Sequence, residues 1–100
     1  MTNEQNAKIA SALAGYEVQV SPAGKWYVVT DDETKPLPDY ERDSVETLST
    51  AEAILRSRDL QLYIGRGFAN YHAGMGEFNA WKPTITSAVA QCLLQIAEGE

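Results

Sequence analysis

The segment "TITSAVAQCLLQIAEG" constrains the fold of this chain more than any other. Ile85, Val89, Cys92, Leu93 and Ile96 recur at intervals of three and four, the spacing of one helical face. Pro83 breaks the chain ahead of it, Thr84 or Thr86 can open the helix, and Gly99 ends it. So apolar a stripe has to be covered, and in a chain of 100 residues the cover must come from one small set of elements. The five residues are therefore expected to form a single buried face against a sheet, with Gln91 on the outer side.

The rest of the chain supplies the pieces. Glu4 to Ala14 has helical spacing and meets a stop at Gly15. "YEVQV" alternates as a half-buried strand, "SPAG" makes a tight turn, and "KWYVVT" returns as the second strand of a hairpin. Of Trp26 and Tyr27, one is expected to face the core and the other to face out. Asp31 to Arg42 carries two prolines and many acids and reads as a loop, with the acidic segment running over 31–43. Asp43 or Ser44 can cap a middle helix whose Val45, Leu48, Ala51 and Leu55 share one face, with Arg56 and Arg58 at its end. "LQLYI" and "EFNAW" are two further strands. The order is α-β-β-α-β-β-α, an α+β domain spanning 1–100 with a mainly antiparallel sheet packed against helices.

Between the last two strands lies a glycine-rich segment, 65–76. The span Leu62–Phe78 holds four of the seven glycines, four aromatic residues and the only histidine. One reading is a single twelve-residue connection. The other makes "FANYHA" a strand of its own, with turns at Gly65-Arg66-Gly67 and Gly74-Met75-Gly76. The second is the simpler account of the glycines. Either way Arg66, Phe68, Tyr71 and His72 are placed at or near an end of the sheet.

Charge narrows the function classes. The net charge is −6, and seven of the fourteen acids fall in "DDETKPLPDYERDSVE", against Lys35 and Arg42 alone. The eight basic residues form no stripe, which disfavours nucleic-acid binding. An acidic surface can instead meet a basic partner or imitate nucleic acid, and it can equally be a solvated loop. No apolar run approaches the ~20 residues of a membrane span. The start, "MTNEQNAKIA", has no basic-then-apolar leader, so a cytoplasmic protein is expected. Cys92 is the only cysteine and sits among apolar residues, as a packed thiol does.

Taken in order, "LAGYEV", "KWYVV", "PLPDYERDSVETLSTAEAIL" and "AWKPTITSAVAQCLLQIAE" resemble the phage ABA-sandwich family and the related NinX-like small phage proteins. Pro38, Tyr40 and Asp43 match the element before the middle helix of those families. Trp81, Thr84, Ala88, Ala90 and Cys92 match their last strand and helix, although here the proline precedes the threonine. The resemblance implies a compact α/β domain of bacteriophage origin acting in the cytoplasm of a bacterial host. It carries over no catalytic residue. The chain departs from the pattern mainly between Ile64 and Glu77.

Chemistry on the chain itself is sparse. A single histidine cannot make a His-Cys or His-His metal cluster, and no Gly-x-Ser-x-Gly elbow is present. Gly65 and Gly67 begin a dinucleotide fingerprint, but Asn70 stands where its third glycine belongs. No catalytic residue, metal or cofactor is therefore expected. The favoured function is a non-enzymatic phage accessory protein that binds a host protein, with disarming of a defence system as its expected role. Its contact residues would come from the acidic segment (Asp31, Asp32, Glu33, Asp39, Tyr40) and the glycine-rich segment (Arg66, Phe68, Tyr71, His72), with Trp81. A second reading is a sponge for a signalling nucleotide at an interface between subunits of a homo-oligomer. There Arg66 would meet a phosphate while Tyr71, Phe68 or Trp81 stacks on the base. An orphan enzyme with His72 or a carboxylate as base ranks last.

Overall fold

In the computed structural model, which describes residues 1–100, helix α3 (Ile85–Glu98) is the element around which the others are arranged. Thr84 caps it by accepting from Ser87 N–H, and Gly99 closes it. Val89, Cys92, Leu93 and Ile96 are buried, but so are Ala88, Ala90, Leu94 and Ala97. The helix is covered on more than one side. Strands β5 (Tyr71–Met75) and β6 (Phe78–Lys82) pack against it, and so do helices α1 (Asn3–Ala12) and α2 (Ser44–Arg58). Ile85 departs from the expected stripe. It occupies the first turn, beyond the reach of the covering elements, and is 41% exposed. Gln91 and Gln95 are half-buried.

The remaining strands are β1 (Glu17–Val20), β2 (Trp26–Val29), β3 (Thr34–Pro36) and β4 (Leu62–Arg66). They form two antiparallel three-stranded sheets, β1-β2-β3 and β4-β5-β6. The α+β class and the helix-on-antiparallel-sheet packing are as the sequence indicates. The order is α-β-β-β-α-β-β-β-α, with a strand more in each half. One of the two is the "FANYHA" strand, here β5. The other, β3, lies inside the segment read as a loop: Thr34, Lys35 and Pro36 pair with Val29, Val28 and Tyr27. Pro36 is tolerated because β3 is an edge strand. Trp26 and Tyr27 are both half-buried, so neither is a core residue in full.

Helix α2 is rotated from the expected face: Ala51 is buried and Leu55 half-buried against the core as expected, but Val45 and Leu48 are not. Val45 is 77% exposed and Leu48 47%, whereas Thr47, Thr50, Ala51 and Ile54 are buried. These four also stand at helical spacing, and α2 packs against α3. The Thr47 hydroxyl donates to the Tyr40 carbonyl, which fixes the rotation of the helix. Tyr40 N–H in turn donates to Asn6 Oδ1 of α1 at 3.1 Å, tying the segment before α2 to the first helix. No helix is long and apolar enough to cross a membrane.

Candidate functional site

Of the four glycines of the second sheet, two stand within strands and two at turns, and both turns fall later in the chain than the expected 65–67 and 74–76. Gly65 lies inside β4 and Gly74 inside β5. The β4–β5 turn spans Gly67 to Asn70, closed by Gly67 N–H donating to the Asn70 carbonyl at 2.8 Å. The β5–β6 turn falls at Gly76-Glu77. Of these glycines only Gly76 has a positive φ, +63°. Backbone conformation is therefore not what most of them provide. Their role is visible on the face of the sheet turned away from α3.

Register decides which side chains share that face. Tyr63 pairs with Gly74, Gly65 with His72, His72 with Trp81, and Gly74 with Asn79. Paired residues point the same way. Two rows therefore cross all three strands, Gly65-His72-Trp81 and Tyr63-Gly74-Asn79, and Tyr63 and His72 meet diagonally over the glycines. His72 stacks beside Trp81, ring centroids 4.8 Å apart and 33° between planes, and stands 5.9 Å from Tyr63 on its other side. A Cβ on Gly67 would meet Trp81 Cζ3 at 2.8 Å, and one on Gly65 would touch Tyr63 Cε1 at 3.4 Å. The glycines are a low floor on which rings lie.

His72 is held by polar contact as well. Asn79 Nδ2 donates to the Glu77 carbonyl at 3.1 Å, which turns Asn79 Oδ1 toward the imidazole. His72 Nε2 lies 2.8 Å from that oxygen and so carries the donated proton. The partner of His72 is thus an amide and two rings, not a carboxylate. Tyr63 is 66% exposed, Trp81 57%, and Phe68, at the tip of the β4–β5 turn, is wholly exposed. A shallow cleft of about 490 Å³ runs beside these rings, bounded by Asp59, Leu60, Gln61, Tyr63, His72 and Asn79.

The residues that sequence reasoning grouped together divide between two faces. Arg66 pairs with Tyr71, and Tyr71 with Lys82, on the α3 side of the sheet. The Arg66 guanidinium stands 5.9 Å from the Tyr71 ring. Within one chain Arg66 and Tyr71 therefore stand together on the side opposite His72 and Trp81, so of the rings considered in the nucleotide reading Tyr71 lies beside Arg66 and Trp81 does not. Tyr63 and Asn79 join the site without having been anticipated. The alternation of "LQLYI" puts Tyr63 opposite Leu62 and Ile64, but which partners it meets depends on a register the sequence does not display.

The acidic segment also divides. Thr30 N–H donates to the Glu33 carbonyl at 2.8 Å and closes a tight turn that leaves Asp31, Asp32 and Glu33 exposed to solvent. Farther along, the acids have local partners. Asp39 is exposed, 3.8 Å from Arg42, Glu41 pairs with the Met1 ammonium, and Asp43 caps α2. Glu46 pairs with Lys35 and accepts from the Tyr16 hydroxyl at 3.2 Å. The Met1 ammonium holds the Glu41 carboxyl below its usual range, and the hydrogen bond to Glu46 raises the Lys35 ammonium above its own. A larger open cleft of about 570 Å³ lies here, but Lys35, Arg42, Asp39, Asp43 and Glu46 on its wall are engaged with neighbouring groups. Tyr40 leaves the contact surface altogether: its ring is fully buried. The expectation that it contacts a partner is corrected, while its anchoring of the segment is evident.

Comparison with protein-family models, with curated proteins and with solved structures finds no match. The phage resemblance rests on the quoted residues alone.

Proposed function

We propose that this chain is a non-enzymatic binding module that engages a protein partner through the open face of its second sheet, with Tyr63, His72 and Trp81 at the centre and Phe68 at the margin. The observation that carries this reading is the exposed aromatic cluster laid on glycines. Rings left in water at 57% and 66% exposure contribute little to the core, and apolar patches of this kind mark interaction surfaces. Tryptophan and tyrosine are also the residues that dominate binding energy at protein interfaces. The carboxylates of Asp31, Asp32 and Glu33 on the first sheet are a secondary, electrostatic contribution to encounter. The phage resemblance supplies the setting: the partner is a bacterial host protein, and interference with host defence is the role.

The test compares three forms of the protein as bait in bacterial lysate: wild type, the pair Tyr63→Ala/Trp81→Ala, and the triple Asp31→Asn/Asp32→Asn/Glu33→Gln. The aromatic pair is expected to lose a protein that wild type and the charge variant both retain. Retention of that protein by the aromatic pair, with loss in the charge variant, would transfer the contact to the acidic turn.

A further inference from the structure

The second sheet has an open edge of unusual character. Gly67 and Asn70 close the β4–β5 hairpin as a hydrogen-bonded pair. Alternation along an antiparallel ladder then assigns the bonds with β5 to Gly65 and Tyr63. The N–H and C=O groups of Leu62, Ile64 and Arg66 point outward, and no other backbone or side-chain hydrogen bond reaches them. Ile64 stands on the α3 side, opposite fully buried Ala73, yet is itself 39% exposed.

Folded proteins guard sheet edges with proline, lysine, short strands or covering groups. The other three edges here are guarded. β3 is three residues long and contains Lys35 and Pro36. β1 carries Glu17 and is packed against α1. β6 ends at Lys82-Pro83, and Gln95 Nε2 covers its outward Asn79 carbonyl at 2.8 Å. β4, "LYIGR", is five residues long with no proline or lysine, and its one charge, Arg66, stands at its end.

We infer that β4 is the interface of a homodimer, in which two copies pair edge to edge, antiparallel, into one six-stranded sheet. Outward groups at 62, 64 and 66 permit the register that joins Ile64 to Ile64 and Leu62 to Arg66 of the second copy. A shift of one residue would oppose outward to inward groups and is forbidden. In this register the exposed Ile64 side chains cover each other on the two-fold axis. Each Tyr63 faces a Gly65, which offers no side chain to obstruct it. The only charge of the strand, Arg66, lies far from its symmetry mate and near the end where Asp59 precedes β4. A parallel pairing would set the two arginines side by side. The dimer places both aromatic faces on one side of a continuous sheet, doubling the surface assigned above without depending on that assignment.

Light scattering should give wild type twice the 11.0 kDa of one chain. Amide exchange at Leu62, Ile64 and Arg66 should slow as protein concentration rises, while Tyr63 and Gly65 stay protected throughout. Ile64→Pro removes an N–H that the chain itself does not use and should yield a folded monomer by circular dichroism. Ile64→Lys, which sets two like charges on the axis, should do the same, and Trp81→Ala should remain dimeric. A wild-type mass of one chain at every soluble concentration, or a dimer that persists in folded Ile64→Pro or Ile64→Lys, would overturn the proposal.

Discussion

The Tyr40 hydroxyl is buried without a hydrogen-bond partner, near Thr50 but not in bonding geometry with it. An unsatisfied buried hydroxyl is a cost of roughly 1–3 kcal/mol. Tyr40→Phe keeps the ring and removes the orphan, so it should raise the stability by about 1 kcal/mol in urea denaturation near neutral pH; a loss of that size would show that the hydroxyl is satisfied in solution. Burial also raises the ionisation of Tyr40 above its ordinary value, and pushes the Cys92 thiol, whose Sγ faces the Ala73 carbonyl at 3.3 Å, up to about 11. Both groups lose a proton more readily in the unfolded chain. From about pH 9, where an ordinary thiol ionises, up to the native values, the unfolded state binds fewer protons and stability falls as pH rises. Denaturation midpoints at about pH 8 and about pH 10.5 should differ in that direction, and Tyr40→Phe should flatten the difference. Native Cys92 should label with a thiol reagent only on the timescale of opening. Fast labelling would place α3 at the surface.

At the scale of elements, α3 and α2 give opposite lessons. The apolar period of α3 is strong, and four of its five stripe residues are buried. Leu93→Ala should cost ~2–5 kcal/mol, the usual loss for a buried leucine. In α2 the buried face is threonine, alanine and isoleucine, while Val45 and Leu48, more hydropathic than the threonines, face water. Hydropathy could not reveal this, because threonine counts as polar until its hydroxyl finds the Tyr40 carbonyl seven residues away in sequence. Chemical denaturation should therefore show Thr47→Ala costing on the order of 1–3 kcal/mol while Leu48→Ala stays within about 0.5 kcal/mol. Reversed magnitudes would return α2 to its expected rotation. The same limit hid the candidate site. Strand types were legible from alternation, and the existence of two turns from the glycines although both fall later than expected, but the cluster Tyr63-His72-Trp81 exists only through a register that sets His72 beside Trp81 and diagonal to Tyr63. β3 was illegible for a similar reason, since prolines and acids describe a loop until an edge strand tolerates them.

The whole molecule measures 43 × 29 × 22 Å and contains two sheets of different character. The first sheet carries the acidic turn, and the second carries the aromatic face and the open β4 edge; the helices packed on α3 join them. This division separates long-range attraction, which charge supplies and salt screens, from short-range affinity, which buried rings supply. Truncating Tyr63 and Trp81 should leave stability within about 1 kcal/mol, because both are exposed. Their effect should appear in binding instead. The most direct measurement is calorimetry with the captured partner, comparing wild type with Tyr63→Ala/Trp81→Ala and with the neutralised Asp31, Asp32 and Glu33. The account predicts a Kd weakened by about thirtyfold or more for the aromatic pair, the size of a loss of about 2 kcal/mol at an interface hot spot. The charge variant should change Kd far less, and mainly through the association rate at low salt. An aromatic variant that binds as tightly as wild type would contradict the assignment of this face.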